Sequence, residues 1–196
     1  MKFLLIIILN FFFISFSYAT DCVVNEQESD LFTYLNNFND CYPGESTNTY
    51  IWNEKFRLFL EDQFDKPHKL YLGLGDKTSL LDYLKEVLGG PPNSAIYHDE
   101  RYLVVSGCRH HSCPEKGMIW IDFKEKKTVA YIVHFFYETK DYQESFMIFT
   151  NSYNSFNDLP DEFSQHLVEW AKRVRIYDDD HQLRFVGNDN KIVKPY

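Results

Sequence analysis

Residues 102–123 read YLVVSGCRHHSCPEKGMIWIDF, and this stretch decides the fold. Two β-like runs, Tyr102 to Gly107 and Met118 to Phe123, flank a ring of six residues closed by Cys108 and Cys113. Inside the ring lie Arg109, His110, His111 and Ser112. Short polar connections between apolar alternating runs imply antiparallel neighbours. With its thiols oxidised, the ring is a small clamped loop at the tip of a strand pair, displaying imidazoles. Such a loop is shaped to enter a cleft on another molecule.

Oxidation depends on compartment, and the first residues address that. Lys2 supplies a positive charge, residues 3–16 are apolar apart from Asn10 and Ser15, and Ser17-Tyr18-Ala19 places small residues where a signal peptidase reads. This is the pattern of a cleaved secretory signal over 1–19. The apolar run is short of the about 20 residues a membrane span requires. Asp21 before Cys22 speaks against a lipoprotein cleavage site. The expectation is a periplasmic or secreted chain, cleaved near Ala19, with no membrane attachment afterwards. All four cysteines lie beyond that point, and an oxidising compartment favours two disulfides. Of the three possible pairings, sequence proximity favours Cys22–Cys41 and Cys108–Cys113.

Outward from the loop, the periodicity switches twice. Asn25 with Glu28 suggests a helix start, followed by Leu31, Tyr34, Leu35 and Phe38 at helical spacing. Tyr42-Pro43-Gly44 is a turn, and a polar linker runs to Tyr50. Trp52, Phe56, Phe59, Leu60 and Phe64 suggest a second helix. Thr78 or Ser79 caps a third, carrying Leu81, Leu84, Val87 and Leu88 and ending at Gly89-Gly90-Pro91-Pro92. Strands are predicted over 95–97, 102–107, 118–123, 129–137 and 145–150. A last helix follows Pro160 with Phe163, Leu167, Trp170, Ala171 and Val174 on one face, ended by Asp178 to Asp180. Residues 183–186 are a candidate final short strand. The fold class is therefore α+β, with an antiparallel sheet of about five strands and flanking helices. The expected organisation is a helical extension over 20–50, a main domain over 51–177 and a tail over 178–196.

Composition narrows the function classes. About 177 residues remain after cleavage, enough for one domain with a real core. Removing the signal takes away only Lys2, so the net charge goes from −9 to about −10. An acidic chain is a poor nucleic-acid binder, and a basic partner suits it. An enzyme has little to stand on here. There is no Gly-x-Ser-x-Gly elbow and no His-Glu-x-x-His helix, and Gly73-x-Gly75 lacks the further glycines of a phosphate loop. No cofactor is implied. Cys108, His110, His111 and Cys113 are all metal-ligand types, so a Cys/His metal site is a rival to the clamp. The ring is too tight to close well around a tetrahedral ion, so no metal residue is assigned. His134, alternating with Ile132 and Phe136, is expected to be a core or sheet-edge histidine. His68, His98, His166 and His181 are expected at the surface.

The 35 or so residues from about 100 to 135 resemble the signature of the inhibitor of vertebrate lysozyme (Ivy) family. That family carries a Cys-Lys-Pro-His-Asp-Cys loop between two antiparallel strands. The resemblance implies an exported bacterial protein, not an enzyme, whose disulfide-closed loop blocks the active-site cleft of c-type lysozyme. By position, Cys108 and Cys113 match the clamp, His111 matches the plugging histidine and Arg109 keeps the cation. The plug would hydrogen-bond the two carboxyl groups on which glycoside hydrolysis depends. His110 stands for the family's Pro and Ser112 for its Asp, which also allows His110 to be the plug. An exported binding module with a non-lysozyme target is the alternative. A homodimer is left open.

Overall fold

The computed structural model describes residues 22–67, 69–71, 77–136, 143–176 and 182–194. The signal segment over 1–19, Gly73-x-Gly75, His68, His181 and Asp178 to Asp180 lie outside the described residues.

The helices form where the periodic apolar residues predict, with sharper ends. Helix α1 spans Leu31–Cys41 and begins at Asp30, whose carboxylate accepts from the Phe32 N–H. Asn25 instead sits in a preceding turn, accepting from Gln27 N–H. The stretch expected to be a polar linker contains a short helix, α2, Thr47–Ile51. Helix α3 is Glu54–Phe64, capped by Asn53, and Trp52 stands outside it, 75% exposed. Strands β1, Lys69–Tyr71, and β2, Lys77–Ser79, form a small antiparallel pair. Helix α4, Leu80–Leu88, starts on Ser79, whose hydroxyl accepts from Asp82 N–H at 3.0 Å. The remaining strands are β3 Ile96–His98, β4 Tyr102–Arg109, β5 Ser112–Asp122, β6 Lys127–Phe136 and β7 Gln143–Phe149. Helix α5, Asp161–Arg173, then leads to β8, Gln182–Val186, and β9, Ile192–Val193.

Among the described residues the main sheet has seven strands, ordered β3-β4-β5-β6-β7-β8-β9, not the five expected. The first five are consecutive and antiparallel, as short connections dictate. Strand β8 pairs in parallel with β7, because the chain crosses over through α5 between them. Strand β9 folds back on β8 as an exposed two-residue edge.

Side-chain alternation splits the sheet into two apolar faces. Leu103, Val105, Ile119, Ile121, Ala130 and Ile132 face α1, α3 and α4. Val104, Met118, Trp120, Val129, Tyr131 and Val133 face α5, through Phe163 and Trp170. The result is three layers with the sheet in the middle, so its central strands are buried on both sides. Helix α1 belongs to the first of these cores: Phe32 meets Phe59 of α3 edge-on at 5.0 Å. Cys22 is tied to Cys41 with Cα atoms 5.3 Å apart, stapling the segment before α1 to the helix end. No helix among the described residues is long and apolar enough to cross a membrane.

Candidate functional site

The loop singled out in the sequence is the tip of the β4–β5 hairpin, and the ladder continues almost to its end. Arg109 pairs with Ser112, leaving His110 and His111 as a two-residue turn. The next pair is Cys108 with Lys116, so Cys113, Pro114 and Glu115 bulge out of register. Proline suits such a bulge, since it has no N–H to offer a ladder. The bulge does two things. It brings Cys113 back to Cys108, with which it forms a disulfide at a Cα–Cα distance of 4.8 Å. It also turns Glu115 inward, where it is only 4% exposed.

The tip shows its imidazoles to solvent. His110 and His111 are both exposed, and their ring centroids lie 3.8 Å apart. His111 adopts φ 63°, a left-handed conformation that histidine tolerates better than most residues. Ser112 is half-buried and Cys113 is exposed. Arg109 is turned back against the body. Its Nη1 donates to Glu115 Oε2 at 3.0 Å, and its Nε lies 3.1 Å from Glu86 Oε2 on α4.

Beneath the tip lies a buried polar network that the sequence reading did not find. Tyr83 of α4, Glu115 of β5 and His134 of β6 converge on one point. Tyr83 Oη donates to Glu115 Oε1 at 3.1 Å and lies 2.5 Å from His134 Nδ1. His134 Nδ1 is in turn 2.6 Å from the same carboxylate oxygen. Burial alone would raise the Glu115 pKa. Hydrogen bonds from His134, Ser112 and Arg109 outweigh it and hold the carboxyl well below the usual range, at about 2. Burial, with Glu115 beside it, pushes the Tyr83 phenol up. Burial opposes the charge on Arg109, but Glu115 and Glu86 more than restore it and raise its pKa. His134 is therefore a core histidine, as its alternation suggests, and its partners are specific.

The tip also rests on backbone. The Cys108 N–H donates to Pro91 O at 3.4 Å, and Pro92 bridges Gly107. A β-carbon built on Gly90 would collide with the Cys108 carbonyl oxygen, and would lie 2.6 Å from His110 N and 2.8 Å from Arg109 C. Only glycine permits this approach. Thr47 of α2 adds a clasp: its hydroxyl donates to Ser106 O at 2.5 Å and accepts from Ser106 N–H at 3.2 Å.

The histidines on the other face of the sheet correct an expectation. His166, expected at the surface, is 7% exposed. Its Nδ1 accepts from Trp120 Nε1 at 3.0 Å, and its ring stacks on His98 at 3.9 Å. Burial first, and His98 second, lower its pKa. Its neighbours Phe163 and Trp170 on α5 are apolar, which is why polar flanking sequence misled the assignment. A cavity of about 240 Å³ opens beside it, lined in part by Ile96, His98, Val104 and Trp170. This cavity lies on the α5 face, away from the tip.

Cys108 and Cys113 are bonded to each other and offer no thiolate. Among the described residues, no group of three or more His, Cys, Asp and Glu side chains is placed to hold an ion. No family model, no curated protein and no solved structure matches the chain.

Proposed function

We propose that this protein is an exported inhibitor of c-type lysozyme that inserts the Cys108–Cys113 tip into the glycosidase cleft. The observation that carries the reading is the exposed imidazole pair on a hairpin tip closed by a disulfide and braced from below. The physical logic has three parts. Closing the ring and resting it on Gly90 to Pro92 removes loop freedom before binding, which lowers the cost of docking. An imidazole between two catalytic carboxyl groups can hydrogen-bond both, and it occupies the space the sugar requires. The mature acidic charge favours encounter with a basic glycosidase. No chemistry is asked of the protein itself. The signal-like start at 1–19 and the two disulfides support release into the periplasm or outside the cell.

His111, at the left-handed position of the turn, is assigned as the plug, with His110 beside it. The test is lysis of a peptidoglycan suspension by c-type lysozyme, with and without the oxidised mature protein. Inhibition at micromolar concentration or below supports the reading, and its absence removes the c-type assignment. His111→Ala should lose most of the inhibition. A variant as potent as the wild type would pass the role to another residue.

One observation favours a different exported target. Ser112 stands where the family loop has an aspartate, so the ring lacks a carboxylate that could orient the imidazole. Capture of another peptidoglycan hydrolase by the mature protein, with lysozyme failing to bind, would support that alternative.

A further inference from the structure

We infer that Arg109 is a positioning residue for the hairpin tip and not a contact residue for the target. By sequence it is the one fixed cation of the loop. The fold gives it another task. Its guanidinium bridges two carboxylates on two different elements, Glu86 of α4 at 3.1 Å and Glu115 of β5 at 3.0 Å. Glu115 is itself anchored, because Tyr83 of α4 and His134 of β6 both reach its other oxygen. The guanidinium also lies over the Tyr83 ring, 5.9 Å from its centroid. A chain of contacts therefore runs from the sheet centre, through Glu115, to Arg109, the residue preceding the turn.

Arginine suits this place, since two nitrogens of its rigid fork, Nε and Nη1, each meet a different carboxylate, a geometry that the single nitrogen of lysine matches less well. A guanidinium already claimed by two carboxylates gains little from a third. The face offered to a partner is then the two imidazoles of His110 and His111, with no free fixed cation among the ring residues. The chemistry that recognises such a face is a pair of closely spaced carboxyl groups able to accept from imidazole N–H. The binding half of this inference rests on the lysozyme-blocking reading. The positioning half does not.

The experiment uses the mature protein with both disulfides formed. Amide hydrogen exchange is followed over residues 107–117, and lysozyme association and dissociation rates are measured in parallel. The variants are Arg109→Ala, Arg109→Lys, Glu86→Gln and Glu115→Gln. Loss of a charge-assisted brace should raise tip exchange and lysozyme dissociation by about tenfold in Arg109→Ala. Both glutamate variants should change in the same direction, and Arg109→Lys should recover only part of the loss. Association rates and exchange within β6 should stay near wild type, which a general loss of stability would not allow. The inference is overturned if Arg109→Ala speeds dissociation while Glu86→Gln leaves tip exchange and dissociation unchanged. Full rescue by Arg109→Lys would overturn it equally, since charge alone would then suffice. Should Glu115→Gln not fold, Glu86→Gln decides, because Glu86 is on the surface. If wild-type protein does not bind lysozyme, the inhibitor reading fails, and the exchange arm still decides whether Arg109 positions the tip.

Discussion

Replacing Gly90 by alanine tests whether the tip is held in place by the body of the protein. The new methyl would collide with the Cys108 carbonyl and sit 2.6 Å from His110 N and 2.8 Å from Arg109 C. All three are backbone atoms, so no side chain can swing aside. Restoring ordinary contact distances of about 3.5 Å requires the tip and the Gly89–Pro92 segment to part by about 1.5 Å, the Cys108 carbonyl being the closest obstacle. Overpacking of this kind costs about 1–3 kcal/mol. For a chain of this size that is a fall in melting temperature of about 5 °C. The larger effect is on function, because the displaced residues immediately precede the imidazoles. Lysozyme inhibition should weaken at least about tenfold, equivalent to about 1.4 kcal/mol. Gly89→Ala is the control: its methyl meets Lys85 O at 3.1 Å, at the end of α4 and away from the tip. It should lose some stability and keep its inhibition. Thermal melting followed by circular dichroism, together with titration of lysozyme activity, reads both effects. A Gly90→Ala protein that melts and inhibits like wild type would refute the packing argument.

Three further expectations follow from the same geometry. Replacing Cys108 and Cys113 together by serine should cost about 2 kcal/mol in the chain-entropy model and make lysozyme binding entropically less favourable, as calorimetry would show. Unchanged binding entropy would mean that the clamp does not preorganise the tip. Glu115 has a folded pKa of about 2, below its unfolded value, so its contribution is present above about pH 4.5 and is lost as pH falls towards 2. Urea unfolding at pH 7 and pH 3 should show wild type losing on the order of 2 kcal/mol more than Glu115→Gln over that interval, and equal losses would contradict the assignment. His166→Leu removes the acceptor for the Trp120 N–H and should destabilise by about 1–3 kcal/mol without altering lysozyme inhibition. Lost inhibition in the folded variant would tie the α5 face to the site.

Much of this architecture was legible because it rests on local signals. The apolar spacing of α3, α4 and α5, the Ser79 cap and the alternation through β4 to β7 all speak within a dozen residues. The hairpin tip was legible for the same reason. What escaped depends on contacts far apart in sequence. Strand β8 acquires its parallel partner only when α5 folds back over the sheet, and β9 has nothing but β8 to pair with. Helix α2 is polar in sequence and is fixed through Thr47 to Ser106, 59 residues away. The network under the tip was missed because β5 begins at Ser112 and not at Met118. Continued backwards, the inward alternation of Ile121 and Ile119 reaches Gly117 and Glu115, a carboxylate that the core must satisfy. That extended register was the available signal, and the charged residues before Met118 disguised it as a loop.

A clamped tip that fills a glycosidase cleft, as proposed, must compete with the sugar for that cleft. The most direct measurement is the affinity of the oxidised mature protein for c-type lysozyme, with the enzyme's cleft empty and with it filled by a chito-oligosaccharide. The expected result is tight binding to the empty enzyme, competitive loss of binding as the sugar is added, and weak binding by His111→Ala in either case. Binding that is indifferent to the sugar, or no binding at all, would contradict it.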